Sequence, residues 1–335
     1  MTKPLVSILI PFKNVGEYFE ECLKSIQNQT YKNWEVVAVN DNSSDDSLAI
    51  ANKFATIDYR FKILSNDKSG IITALRKAYS HSSGDFISRM DADDYMAPDR
   101  INIMAKSLLQ EGKGSLAVGK VKYFSKAGVN DGYDRYEKWL NKLTATGENF
   151  NEIYKECVIP SPCWMVYRED FEASDAFNPD RYPEDYDLAF RFYELGLKCI
   201  PCTTTLHYWR DYDNRTSRTS EHYAQNYFLD IKLHYFLKLE YKPNNNLVVW
   251  GAGKKGKTIA NSLVEKNIPF QWVCDNEKKI GKDIYGVRLK HFSALKDVKH
   301  SKTIITVANE DDQNTIRSFF TDLEQKPAVD YFFFC

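Results

Sequence analysis

The sequence predicts an α/β protein in which a mostly parallel sheet flanked by helices is followed by a smaller α/β domain. Short β-rich apolar runs alternate with amphipathic stretches through the first ninety residues, the pattern of a parallel sheet covered by helices. A breaker, "KPNNN" at 242–246, is followed by a strand, a Gly-rich turn, a helix and another strand. The 335 residues, 43% hydrophobic and 27% charged, suffice for two cores and are too apolar for disorder.

The elements follow in order. "VSILI" (6–10) reads as a strand ending at Pro11. "VGEYFEECLKSIQNQ" (15–29) places Tyr18, Phe19, Cys22, Leu23 and Ile26 on one helical face. "WEVVAV" (34–39) is a second strand, and the Ser/Asp caps of "NDNSSDDSLAIANKFA" open another helix. "FKILS" (61–65) and "GDFISRM" (84–90) continue the alternation. From about 95 to 225 the pattern is less regular, with helices at "PDRINIMAKSLLQE" and "EDYDLAFRFYELG" and strands near "SLAVGKVKYF" and "CWMVYR". "AQNYFLDIKLHYFLKLEY" (224–241) reads as a connecting helix. The expected organisation is a domain over 1–225, a connecting helix and linker over 226–243, and a second domain over 244–335.

Composition narrows the function classes. A formal net charge of −1 provides no basic field for nucleic acid. The six-residue apolar run near the N-terminus is too short for a signal-peptide core, and no stretch approaches the roughly 18 apolar residues that span a bilayer. The expectation is a cytoplasmic protein whose membrane contact, at the inner face, is peripheral; self-association is left open. Seven cysteines form no disulfide framework, which fits a reducing compartment, and Cys199 and Cys202 of "CIPC" read as buried thiols on a strand.

In open sheets of this kind ligands gather at the C-terminal ends of the strands. Asp41, after "WEVVAVN", and Asp91, Asp93 and Asp94, in "RMDADDYMAPDR", fall at such ends and on the same rim. The acidic triplet reads as a solvated turn, a helix cap or a site for a hard divalent cation, which takes one or two carboxylates plus substrate phosphates. Glu184 and Asp185, beside Pro183 at a predicted helix start, either complement the helix dipole or serve as a general base.

Three blocks resemble the family 2 glycosyltransferases of the GT-A, nucleotide-diphospho-sugar transferase fold: "VSILIPFKNVGEYFEECLKSIQNQTYKNWEVVAVNDNSSDDS", "SGDFISRMDADDYMAPDRI" and "YPEDYDLAFRFYELGLK". The resemblance implies Pro11 and Asp41 at the nucleoside, Asp91 at the ribose or the metal shell, Asp93 as the main ligand of Mn²⁺ or Mg²⁺, and Asp94 as a third carboxylate. It implies Asp185 as the base supported by Glu184, with inversion at the anomeric carbon. The expected partners are a nucleotide-sugar donor, by default a UDP-sugar, and a saccharide or lipid-linked saccharide acceptor. Lys13 stands where many members have Tyr, and Arg76 replaces a frequent Asn; Arg76 contacts the diphosphate or is an exposed helix residue. His207 and Arg210 lie where a Tyr-Arg pair is common. Arg210, Arg215 and Arg218 form a phosphate clamp or a surface cluster, His207 adds a metal ligand or is structural, and Trp164 stacks on a sugar or packs in the core.

The last ninety residues resemble a Rossmann-like module. Gly251, Gly253 and Gly256 of "GAGKKG", with Asp275 about twenty residues on and Lys254, Lys255 and Lys257 nearby, form a second nucleotide or anion site, or merely permit tight packing. Three other functions compete with glycosyl transfer: a nicotinamide-dependent oxidoreductase or nucleotide-binding regulator built on that segment, a sugar nucleotidyltransferase, and a pure interaction protein. The nucleotidyltransferase normally needs a Gly-rich basic loop that "LIPFKNVGEYFEE" lacks.

Overall fold

A computed structural model describes residues 3–213, 215 and 228–335. The chain forms two compact units, Met1–Phe150 with Val158–Thr219, and Asn151–Cys157 with Ser220–Cys335.

The first unit begins β1 (Val6–Phe12), α1 (Gly16–Gln27), β2 (Trp34–Asn40), α2 (Ser47–Ile57), β3 (Phe61–Ser65), α3 (Ile71–Ser80) and β4 (Phe86–Arg89). It continues with β5 (Tyr95–Met96), α4 (Arg100–Glu111), β6 (Ser115–Phe124), α5 (Asp131–Thr146), β7 (Trp164–Tyr167), α6 (Arg168–Ala173), α7 (Glu184–Glu194) and β8 (Lys198–Arg210). The sheet order is β3-β2-β1-β4-β7-β6-β8-β5. Strands β1 to β4 run parallel, β7 is antiparallel to both β4 and β6, β6 and β8 are parallel, and the short β5 is antiparallel to β8. This is the expected α/β class with a mostly parallel sheet.

Helices cover both faces of β1 and β2, which is why those strands read as nearly unbroken apolar runs and bury almost every residue. Strand β1 extends past Pro11, whose missing N–H costs nothing there because pairing with β4 ends at Leu9. Of the expected face of α1, Phe19, Cys22, Leu23 and Ile26 are buried, the i, i+3, i+4, i+7 set of an amphipathic helix. Tyr18 is instead partly exposed, its ring 4.9 Å from that of Tyr212. Trp164 packs in the core against Phe171 and Phe192, so the sugar-stacking alternative falls away. Cys199 and Cys202 are buried on β8, where burial pushes both thiols up.

The register of β1, β2 and β4 fixes the site. Phe12 pairs with Asn40, Asn40 with Ser65, and Leu9 with Arg89. The C-terminal ends of these strands therefore share one rim, and the residues that follow them, Asp41, Asn66 and Asp91, emerge side by side.

The second unit comprises α8 (Leu229–Leu239), β9 (Asn246–Trp250), α9 (Lys254–Glu265), β10 (Gln271–Cys274), β11 (Asp283–Ile284), β12 (Val287–His291), β13 (Ser301–Ile305), α10 (Glu310–Asp322) and β14 (Tyr331–Phe333). Its sheet runs β11-β12-β10-β9-β13-β14, parallel throughout except for the β11/β12 pair. The core gathers Val248, Trp250, Ile305, Phe320 and Tyr331. Positions 224–227 of the predicted connecting helix lie outside the described residues. Among the described residues no helix is long and apolar enough to cross a membrane.

Candidate active site

Asp41 follows β2 and is nearly buried. Its Oδ1 accepts from Asn66 Nδ2 at 2.8 Å and from the Gly70 amide at 2.9 Å, while Oδ2 lies 3.4 Å from the Ser69 hydroxyl and 3.7 Å from Lys13 Nζ. Lys13 thus places its charge beside this carboxylate. The Asp41 amide donates to Phe12 O at 2.8 Å, tying the segment to the strand that carries Pro11.

Arg89 ends β4, and the acidic turn begins two residues on. Asp91 Oδ1 receives Arg89 Nε at 3.2 Å and NH2 at 3.1 Å. The other arm of the same guanidinium, NH1, reaches Glu184 Oε1 at 2.9 Å. Glu184 opens α7 immediately after the cis Tyr182–Pro183 bond, and Asp185 follows it. The two acidic motifs, distant in sequence, therefore meet around one buried arginine. Burial and the charge of Glu184 push the Asp185 carboxyl up to about 7, with Arg89 pulling the other way.

Asp93 and Asp94 diverge. Asp93 Oδ2 accepts from the Tyr212 hydroxyl at 3.0 Å, and its carbonyl accepts from Arg210 Nε at 2.7 Å. Asp94 is fully buried, with Oδ1 on the Arg210 amide at 2.7 Å and Oδ2 on His207 Nε2 at 2.9 Å. Burial, and for Asp93 the neighbouring charge of Asp94, pushes both carboxyls well above the usual range.

Two members of the expected metal set, His207 and Asp94, are engaged by protein partners. His207 is fully buried, and burial together with the Arg100 charge holds its pKa well below the ordinary value, so it is neutral. Arg100 NH1 donates to His207 Nδ1 at 3.1 Å, which leaves the proton on Nε2 to serve Asp94. Neither ring nitrogen keeps a lone pair for a cation, and both Asp94 oxygens are engaged. Among the described residues no group of three or more His, Cys, Asp or Glu side chains is arranged to hold a metal. Asp91 Oδ2 and Asp93 Oδ1, by contrast, take part in no hydrogen bond among the described residues. Two hard carboxylate oxygens fit a divalent cation that completes its shell with water and substrate phosphate.

Arg76 likewise has protein partners. From α3 its guanidinium donates to Phe177 O at 2.7 Å, to Asn178 O, and to Asp180 Oδ1 at 2.7 Å, so it braces the 177–180 loop. Arg210 does reach the acidic turn, but as a brace: it ion-pairs with Glu21 and lies over the rings of Tyr18 (4.5 Å) and Phe124 (4.6 Å). Arg215 is buried over Trp209 at 5.3 Å. Arg218 lies outside the described residues.

Sequence reasoning missed Arg89 and Arg100. Arg100, at the start of α4, donates from NH2 to Ser88 Oγ at 3.2 Å, to Arg89 O at 3.1 Å and to Pro162 O. An arginine at the end of a strand buried on both faces was the available signal, because such a charge requires a partner.

In the second unit, a Cβ on Gly256 would lie 2.1 Å from Gly251 O, and one on Gly251 would lie 2.4 Å from Thr306 Oγ1. Gly253 caps α9 with open space around it, and Asp275 is exposed just after β10. Packing thus accounts for two of the three glycines.

Residues 7–174 match the family described as Glycosyl transferase family 2. An uncharacterized glycosyltransferase of Haemophilus influenzae is 30% identical over 230 residues, 65% of this chain and 69% of that protein. Chondroitin synthase of Pasteurella multocida is 32% identical over 199 residues, 58% of this chain but 19% of the synthase. This chain spans less than a third of the length of several such curated relatives. The crystal structure of Staphylococcus aureus TarS 1-349 in complex with UDP-GlcNAc superimposes with a TM-score of 0.55 at 16% identity, over 78% of this chain and 72% of that one, a likeness of fold.

Proposed function

Because the chain belongs to glycosyl transferase family 2, we propose that it moves a sugar from a nucleotide-sugar, in the first instance a UDP-sugar, to a hydroxyl of a glycan or glycolipid, with inversion at the anomeric carbon, in polysaccharide or glycoconjugate assembly. One observation carries the reading: Asp91 and the Glu184–Asp185 pair meet through Arg89 on the sheet rim that also bears Asp41.

Asp41, held by Asn66 and the Gly70 amide, orients the nucleoside beside Pro11. Asp91 and Asp93 would hold the Mn²⁺ or Mg²⁺, which when bound would supply Lewis-acid stabilisation of the departing diphosphate. The acceptor oxygen forms its bond to the anomeric carbon as the bond to the diphosphate breaks, and Asp185 takes the acceptor's proton. One displacement from the opposite face inverts that carbon.

The test is incubation of the whole chain with UDP-, GDP- and dTDP-sugars, with and without Mn²⁺ or Mg²⁺, followed by product NMR. Nucleoside diphosphate released only with a divalent cation, and an inverted anomeric centre, is expected. Retained configuration or release of pyrophosphate would sink the reading.

A second reading concerns the second unit. Strand β9 has β10 on one side and β13 on the other, the strand-order reversal where such sheets bind ligands, and this supports a nucleotide or anion site at Gly251, Gly253 and Gly256 with Asp275. Calorimetric titration of an Asp91→Asn/Asp93→Asn chain with nucleotides tests it. Residual binding lost on Gly253→Val is expected, and the absence of any residual binding refutes it.

A further inference from the structure

We propose that Arg89 is a positioning residue that ties the donor-side carboxylate Asp91 to the acceptor-side pair Glu184–Asp185, so that both halves of the site take their geometry and charge from one side chain. The inference deepens the transferase reading and rests on Asp185 being its base.

Arg89 ends a strand hydrogen-bonded on both sides, parallel to β1 and antiparallel to β7, so its backbone is fixed. Its side chain is 6% exposed. The planar fork sends Nε and NH2 to Asp91 Oδ1 and NH1 to Glu184 Oε1, an arrangement that a lysine's single ammonium cannot copy. Glu184 depends on this bond: its Oε2 is buried and accepts no hydrogen bond among the described residues. Without Arg89 a buried carboxylate beside Asp185 would stand with neither oxygen satisfied, and it would give up its charge or its place.

The electrostatics agree with the geometry. The groups acting on Asp185 are Glu184 beside it, Arg89 from β4, Asp91 from the turn after β4, and the Tyr186 amide, which donates to its Oδ1 at 2.8 Å. Burial, Glu184 and Asp91 raise its proton affinity; Arg89 and the amide lower it. Arg89 is therefore the only cationic side chain in this set that keeps the base available near neutral pH. It does so while bonded to the carboxylate on the donor side.

The test is the pH dependence of kcat at saturating donor for the wild type, Arg89→Lys, Arg89→Met and Glu184→Gln. The acid limb should move to higher pH by about one unit or more in Arg89→Met, by less in Arg89→Lys, and to lower pH in Glu184→Gln. Limbs that coincide with the wild type in Arg89→Lys and Glu184→Gln overturn the inference, however far kcat falls; these two variants decide it if Arg89→Met does not fold. An Asp185→Asn enzyme as active as the wild type would remove the base assignment and this inference with it. An Asp185-dependent limb indifferent to positions 89 and 184 removes this inference alone.

Discussion

At the scale of single residues, the proposed site separates reacting side chains from those that hold them. Asp185 is the proposed base. With its carboxyl pushed up to about 7, it is half-protonated near neutrality, so kcat should fall as pH drops below about 7, and a pH–rate profile checks this. Asp185→Asn should lower kcat roughly 10²- to 10⁴-fold with donor binding retained. The same substitution should change stability in the opposite sense. A folded-state pKa above the unfolded value means that stability is fully present below the unfolded value of 3.8 and declines as pH rises through about 7. Asp185→Asn should therefore raise the melting temperature at pH 8 more than at pH 5, as thermal denaturation would show. His207 belongs to the holding set: His207→Ala leaves Asp94 short of a donor and Arg100 short of an acceptor, at a cost of about 2–4 kcal/mol. Denaturant unfolding measures that loss, whereas a metal-ligand role would leave stability intact and alter only the cation requirement. The sequence displayed the carboxylates because acids after strands are visible in a linear reading. It could not display the division between Asp93 and Asp94, which depends on where β8 delivers His207 and the Arg210 amide.

At the scale of elements, the strongly periodic pieces were legible: β1, β2, β3 and β6 and the helix faces announce themselves through burial on one or both sides. The region between β6 and β7 was not. Helix α5 is rich in charge and aromatics, and its start is set by Asn130, whose side chain accepts from the Tyr133 amide at 3.0 Å. Its end is Gly147, left-handed at φ 73°, where a Cβ would sit 2.7 Å from Cys199 O on a strand fifty residues further along. Such a contact is invisible before the chain is folded. The Gly-rich turn of the second unit offers a cleaner contrast. Gly256→Ala should destabilise that unit by about 2 kcal/mol or more because its Cβ would strike backbone, while Gly253→Ala, in open space, should cost less than about 1 kcal/mol. Hydrogen exchange across residues 246–274 distinguishes the two.

At the scale of the whole molecule, what was readable was the order of the blocks; what was not was which buried cations hold them together, since Arg100 and Arg215 look like any surface arginine in a string of letters, and the buried strand before Arg89 signals that it needs a partner without saying which. Donor binding should show the assembled rim directly. With Mn²⁺ present, a nucleotide-sugar at about one hundred times its Kd should add about 2.7 kcal/mol of stability, and exchange protection should appear at 11–14, 66–70 and 89–94 in the same titration. Protection confined to residues 246–256 would contradict this. The brace around Arg210 has a kinetic consequence. Because its side chain joins Glu21, the Asp93 carbonyl and two aromatic rings, Arg210 holds the acidic turn through protein groups alone. Capture of the proposed cation should then need no rearrangement of the turn: stopped-flow mixing with Mn²⁺ is expected to give a single encounter-limited phase, and Arg210→Ala a second, concentration-independent one.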